Sequence, residues 1–157
     1  MLFALVSWIT GWTVGTPFRA ARLVERSPGH GDPAHVVVSL TYARLKPGGR
    51  RAFDRYTQAV FSSLDEQPGY LGGAIRREVF GRQVWTVTSW VDEASLESFV
   101  RSPLHREAVR VAGGSLGETQ LHRLELPVTE LPLSWDRVLD LLDERIGRTP
   151  ALQPPVR

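Results

Sequence analysis

The stretch 35–45, HVVVSLTYARL, constrains the fold of this chain more than any other segment. Its β-branched content reads as a strand, and its two faces differ in kind. Val36, Val38, Leu40 and Tyr42 form a bulky apolar set. Val37, Ser39, Thr41 and Ala43 form a smaller and more polar one. Side chains alternate across a strand, so the first set marks a core face and the second a different environment.

The rest of the middle of the chain falls into place around this strand. Pro47-Gly48-Gly49 turns the chain, and Phe53, Tyr56, Val60, Phe61 and Leu64 then recur at helical spacing. Pro68-Gly69 ends that helix. The segments 70–80 and 83–91 read as a hairpin with Gly81 in its turn. Asp92 is a fitting N-cap for a second helix with Leu96, Phe99 and Val100 buried. Ser102-Pro103 breaks it, residues 104–112 resume it, and Gly113-Gly114 closes it. Residues 118–126 form the last strand. The order strand, helix, strand, strand, helix, strand predicts an α+β chain of the ferredoxin-like split βαβ type. Its antiparallel sheet carries helices on one face, so something else must cover the other.

The flanks behave differently. Residues 1–18 carry no charged side chain, and Gly11, Gly15 and Pro17 interrupt them. No basic region precedes them and no membrane span fits. A cytoplasmic chain is expected, with this segment either laid against the domain or serving as a membrane-surface anchor. Residues 15–33 read as a linker or surface arm, given Pro28-Gly29, Gly31 and Pro33. After Pro127 a further helix is predicted, with Ser134 as N-cap, Trp135, Val138, Leu141, Leu142 and Ile146 apolar, and Gly147 as its stop. The chain thus divides into an N-terminal extension (1–34), a central domain (35–127) and a C-terminal helix and tail (128–157).

Composition excludes several function classes. The 19 basic residues nearly balance 17 acidic ones, leaving a net charge of +2, which does not suit nucleic-acid binding. Cysteine is absent, so disulfides, thiolate metal sites and cysteine nucleophiles are excluded together. Four scattered histidines with no carboxylate spacing predict no metal site. There is no phosphate-binding loop, dinucleotide fingerprint or nucleophile elbow.

PGYLGGAIRR (68–77), VWTVTSW (84–90) and WVDEASLESFVRSPLHREAV (90–109) resemble the antibiotic biosynthesis monooxygenase superfamily. The similarity covers roughly residues 35–127. It implies a dimeric α+β barrel, a homodimer in which two open sheet faces pack together, with a cavity in each protomer between sheet and helices. The cover expected over the face bearing Ser39 and Thr41 is therefore a second copy. The resemblance also implies a cofactor-independent monooxygenase acting on a small aromatic, quinol or polyketide-like substrate with dioxygen. The same barrel serving as a non-catalytic binding module is the alternative.

By that resemblance Trp90 and Arg110 match active-site positions of polyketide-oxidising members. Thr86 stands where they carry asparagine and Leu96 where they carry tyrosine. Phe99 stands where quinol-oxidising members carry histidine. Haem-degrading members use positions that read here Thr41, Phe99 and Val109, and valine cannot ligate iron; haem binding would have to use His105. The implied catalytic set is Trp90, Arg110 and His105, the last as general base. Ser39, Thr41, Thr86 and Phe99 are the substrate-binding set. Each has a plainer reading. Trp90 can be a packing plug, and Arg110 a solvated arginine or a partner of Glu107. Ser39 and Thr41 can lie at the rim of a dimer contact. His122, mid-strand, is a weaker base candidate, and His30 and His35 flank the linker.

Overall fold

The computed structural model describes residues 13–20 and 34–146. Two short strands, β1 (Thr13–Gly15) and β2 (Arg19–Ala20), precede β3 (His35–Leu45). Then follow α1 (Arg50–Leu64), β4 (Tyr70–Glu78), β5 (Gln83–Trp90), α2 (Glu93–Val100) and α3 (Pro103–Ala112). The last elements are β6 (Leu116–Pro127) and α4 (Trp135–Ile146). The long strands are antiparallel in the order β4-β5-β3-β6, the ferredoxin-like arrangement, and β1 and β2 both pair with the outer edge of β4.

Local chemistry sets the helix boundaries. The Asp92 carboxylate accepts from the Ser95 N–H at 2.7 Å and starts α2. The Ser102 hydroxyl accepts from the His105 N–H at 3.2 Å, and Pro103 takes the first helical position, where no N–H is needed. Ser134 caps α4 by accepting from the Arg137 N–H at 3.2 Å. Gly147 lies outside the described residues. Gly113 and Gly114 do not end the helix abruptly; with Ser115 they form a 3-10 turn that feeds β6.

One difference from the sequence reading concerns the N-terminal flank. Residues 15–20 are not a free linker. The Thr16 N–H bonds the Ile75 carbonyl at 2.9 Å, and β2 continues the ladder on β4. At this junction Gly72 has φ +152°, and a Cβ there would lie 2.5 Å from the Phe18 ring, so only glycine fits. The readings for residues 1–12 and 21–33 lie outside the described residues. No described helix is long and apolar enough to cross a membrane.

The larger correction concerns what covers the sheet. The face bearing Ser39 and Thr41 is not left for a second copy; α1, α2 and α3 of the same chain lie over it. The opposite face carries Val36, Val38, Leu40, Tyr42, Trp85, Val87, Leu124 and Leu126. It packs against Leu133 and against Val138, Leu141 and Leu142 of α4, all at most 4% exposed. Burial of each such side chain stabilises the fold by roughly 1.5–3 kcal/mol as an upper estimate. The predicted amphipathic helix exists, and its apolar stripe is spent on this sheet. Among the described residues neither face of the sheet is bare.

Candidate functional site

Register places the small side chains of the sheet in rows. Ser39 faces Thr88 on one side and Arg123 on the other. Thr41 faces Thr86 and Leu121. Directly opposite residues share a sheet face, so four hydroxyls from two strands form a compact polar patch. Short side chains leave space beneath the helices that a Leu or Ile would fill. The result is a cavity of about 260 Å³, near the lower end of the ~300–1,000 Å³ usual for ligand sites. Its roof is apolar and aromatic, made by Phe53, Tyr56, Val60 and Phe61 of α1 and by Phe99, His105 and Ala108 of α2 and α3. The hydroxyls of Ser39, Thr41 and Thr86 make no hydrogen bond to another described residue, so they are available to a ligand oxygen.

An aromatic series leads to this cavity. Tyr70 meets the edge of Trp90 at 5.3 Å, Trp90 stacks on Phe99 at 5.0 Å, and Phe99 meets His105 at 4.8 Å. Trp90 is fully buried and does not itself line the void. Its indole N–H donates to the Thr88 hydroxyl at 3.0 Å. Thr88 Oγ1 is thereby an acceptor from Trp90, and its own O–H remains to donate into the cavity.

Among the described residues His105 is the one imidazole lining the cavity. Its Nδ1 donates to the Val100 carbonyl at 3.1 Å, since a carbonyl can only accept, and Nε2 then holds the lone pair. Burial pushes its pKa below the ordinary histidine value, against the smaller opposing effect of the Val100 bond. The ring is therefore neutral at neutral pH and able to take a proton.

Not every residue singled out by sequence arrives here. Ser39, Thr41, Thr86, Phe99 and His105 converge on the cavity. Arg110 does not. It sits on the outer side of α3, with its side chain 70% exposed and bound to Glu107 by two hydrogen bonds of 2.9 and 2.7 Å. Three residues on from Glu107, the helix turn brings these two together at the surface and away from the void. His122 lies on the α4 side of the sheet, its Nε2 buried without a partner. No cluster of potential metal ligands occurs among the described residues.

Thr88 and Arg123 are among the lining residues that escaped the sequence reading. Thr88 shares the strand parity of Thr86, a signal that was present. Arg123 lies at the mouth, and nothing in the sequence ties it to α2. It is bound by Glu93 and Glu97, which offset its charge. A second, wider groove of about 870 Å³ runs between α1, β4 and the N-terminal strands and shares Thr57 and Phe61 with the cavity. It holds none of the residues predicted for the site.

Comparison with known proteins fits this geometry. Residues 36–111 match the family model for antibiotic biosynthesis monooxygenase. Over these residues the chain is similar to that family. No curated protein matches this chain in sequence. Among solved structures, a conserved protein from Methanosarcina mazei Go1 superposes with a TM-score of 0.55 at 17% identity, covering 59% of this chain and 94% of its own. PA3566 from Pseudomonas aeruginosa gives 0.55 at 17%, covering 60% and 96%. A candidate antibiotic biosynthesis monooxygenase from Nitrosomonas europaea gives 0.55 at 13%, covering 64% and 96%. Identities this low carry the fold and not the activity. The monooxygenase domain match takes in Ser39, Thr41, Thr86, Phe99 and His105; Arg123 and α4 lie beyond it.

Proposed function

We propose that this chain is a cofactor-independent monooxygenase of a small aromatic, quinol or anthrone-like substrate. The observation that carries this reading is one neutral imidazole on an apolar cavity whose opposite wall is a patch of hydroxyls. The ring of the substrate sits against Phe99 and the roof of α1. Its oxygen meets the hydroxyls of Thr41, Thr86, Ser39 and Thr88. His105 Nε2 takes the acidic C–H or O–H proton, and the hydroxyl donors hold the resulting oxyanion. The electron-rich anion gives one electron to dioxygen, and the substrate radical and superoxide join in a C–O bond. The proton returns from His105 to give a hydroperoxide. Loss of water leaves a carbonyl, so that R₂CH₂ + O₂ becomes R₂C=O + H₂O, with the substrate supplying the electrons. Trp90 acts through Phe99 and Thr88 and is a positioning residue.

Oxygen uptake with a panel of quinols and anthrones tests this. Wild type is expected to consume oxygen, and His105→Ala to lose about 10²-fold in rate or more. Absence of uptake with every substrate that binds would overturn the reading. It would leave the binding module, which the solvent-facing Arg110 and the neutralised Arg123 favour.

A further inference from the structure

We infer that the wide groove beside the cavity is a second compartment of the same site, and that it takes the uncharged, mainly hydrocarbon tail of a ligand whose ring lies in the cavity. The inference rests on the ring-binding reading of the cavity given above and adds the shape of the molecule bound.

The two spaces share a floor. Across β5 and β4, Thr86 stands opposite Ile75 and Thr88 opposite Gly73. Directly opposite residues share a sheet face, so the hydroxyl rows of the cavity continue onto Ile75 and Gly73, which line the groove. The two spaces also share a wall. Thr57 and Phe61, one turn apart on α1, line both. Phe53, Tyr56 and Val60 line the cavity, and Asp54, Gln58 and Ser62 line the groove. The far side of the groove comes from Val14, Pro17 and Phe18. These three precede the matched segment 36–111, so the groove is this chain's own addition to it.

The chemistry of the groove selects the tail. At about 870 Å³ against about 260 Å³, the groove has more room than the cavity. Its lining cations are each paired, Arg19 with Asp65 at 3.3 Å and Arg77 with Asp54 at 3.6 Å. Those pairs leave no net charge to hold an ionic group, and taking an unpaired charge from water into such a site is costly. Tyr70, which also lines the groove, stays protonated, because burial first and the Asp65 carboxylate second push its pKa up. A Cβ on Gly73 would lie 2.8 Å from the Tyr70 hydroxyl, so glycine leaves the phenol its place at the floor.

Binding of 2-alkylhydroquinones to the full chain, followed by calorimetry under nitrogen so that no turnover occurs, tests the inference. The tails run from methyl through butyl to octyl. Affinity is expected to rise about two- to fourfold per added methylene until the groove is filled. Gln58→Trp and, independently, Ser62→Trp each add an indole to the groove from an exposed position of α1. Either should abolish the rise and leave binding of the methyl compound unchanged. A rise that survives both substitutions would put the tail elsewhere and overturn the inference. Equal affinity across the series would also overturn it, while leaving the reading of the cavity in place. Failure of every compound to bind would overturn both. Tail-dependent binding without oxygen uptake once air is admitted would overturn the monooxygenase reading alone.

Discussion

The two faces of the sheet use the same strands for different ends. On the α4 face, bulky side chains from β3, β5 and β6 merge with α4 into one continuous cluster. On the other face the apolar residues split into two smaller clusters, one around Trp90 and Leu64 and one around Phe53 and Val84. The cavity lies between them. One face spends its area on cohesion, and the other keeps a hydroxyl-lined void. A cavity leaves its walls short of packing contacts, so the solid face is what makes the hollow one tolerable.

The sharpest way to break this comparison is to truncate a residue on each face. Leu142→Ala on the solid face should cost about 2–5 kcal/mol in urea unfolding, since it leaves a hole in a close-packed cluster. Trp90→Phe on the hollow face should cost roughly 1–3 kcal/mol. It should also weaken ligand binding, because Thr88 loses its indole donor and Phe99 its stacking partner. Equal losses of stability with no change in binding would remove Trp90 from its positioning role.

Acid should separate the faces further. Burial depresses the folded pKa of His105, so the folded chain resists protonation that the unfolded chain accepts at about pH 6.5. The stability held by the neutral ring is therefore fully present above that value and is lost as pH falls below it. Urea midpoints at pH 7.5 and at acid pH should converge in His105→Phe relative to wild type.

Smaller effects complete the series. Thr86→Val should leave stability nearly unchanged and weaken binding of a phenolic ligand roughly three- to tenfold, by calorimetry, through loss of one hydrogen bond. Arg110→Ala should change neither melting temperature nor ligand affinity, because an exposed pair contributes little. A loss of turnover in Arg110→Ala would restore it to the site.

Much of this arrangement was legible in the sequence. The strand at 35–45, the Asp92 and Ser102 caps and the amphipathic stripe of α4 rest on periodicity and short-range hydrogen bonding, which neighbours along the chain dictate. So does the shared parity of Thr86 and Trp90. The alternation in β3 also marked two unlike faces. Alternation alone cannot say what lies above each face. It could not show that Ser39 and Thr41 lie under the chain's own helices, nor that Val36, Val38 and Leu40 lie under α4. The outward turn of Arg110 and the approach of Arg123 to Glu93 and Glu97 were equally hidden, since the latter partners lie some 30 residues apart. Sequence determined which elements form and which side of each is apolar, because those are properties of short stretches. Only the tertiary structure decided which apolar sides meet, because that depends on how distant segments divide a limited area of sheet between them.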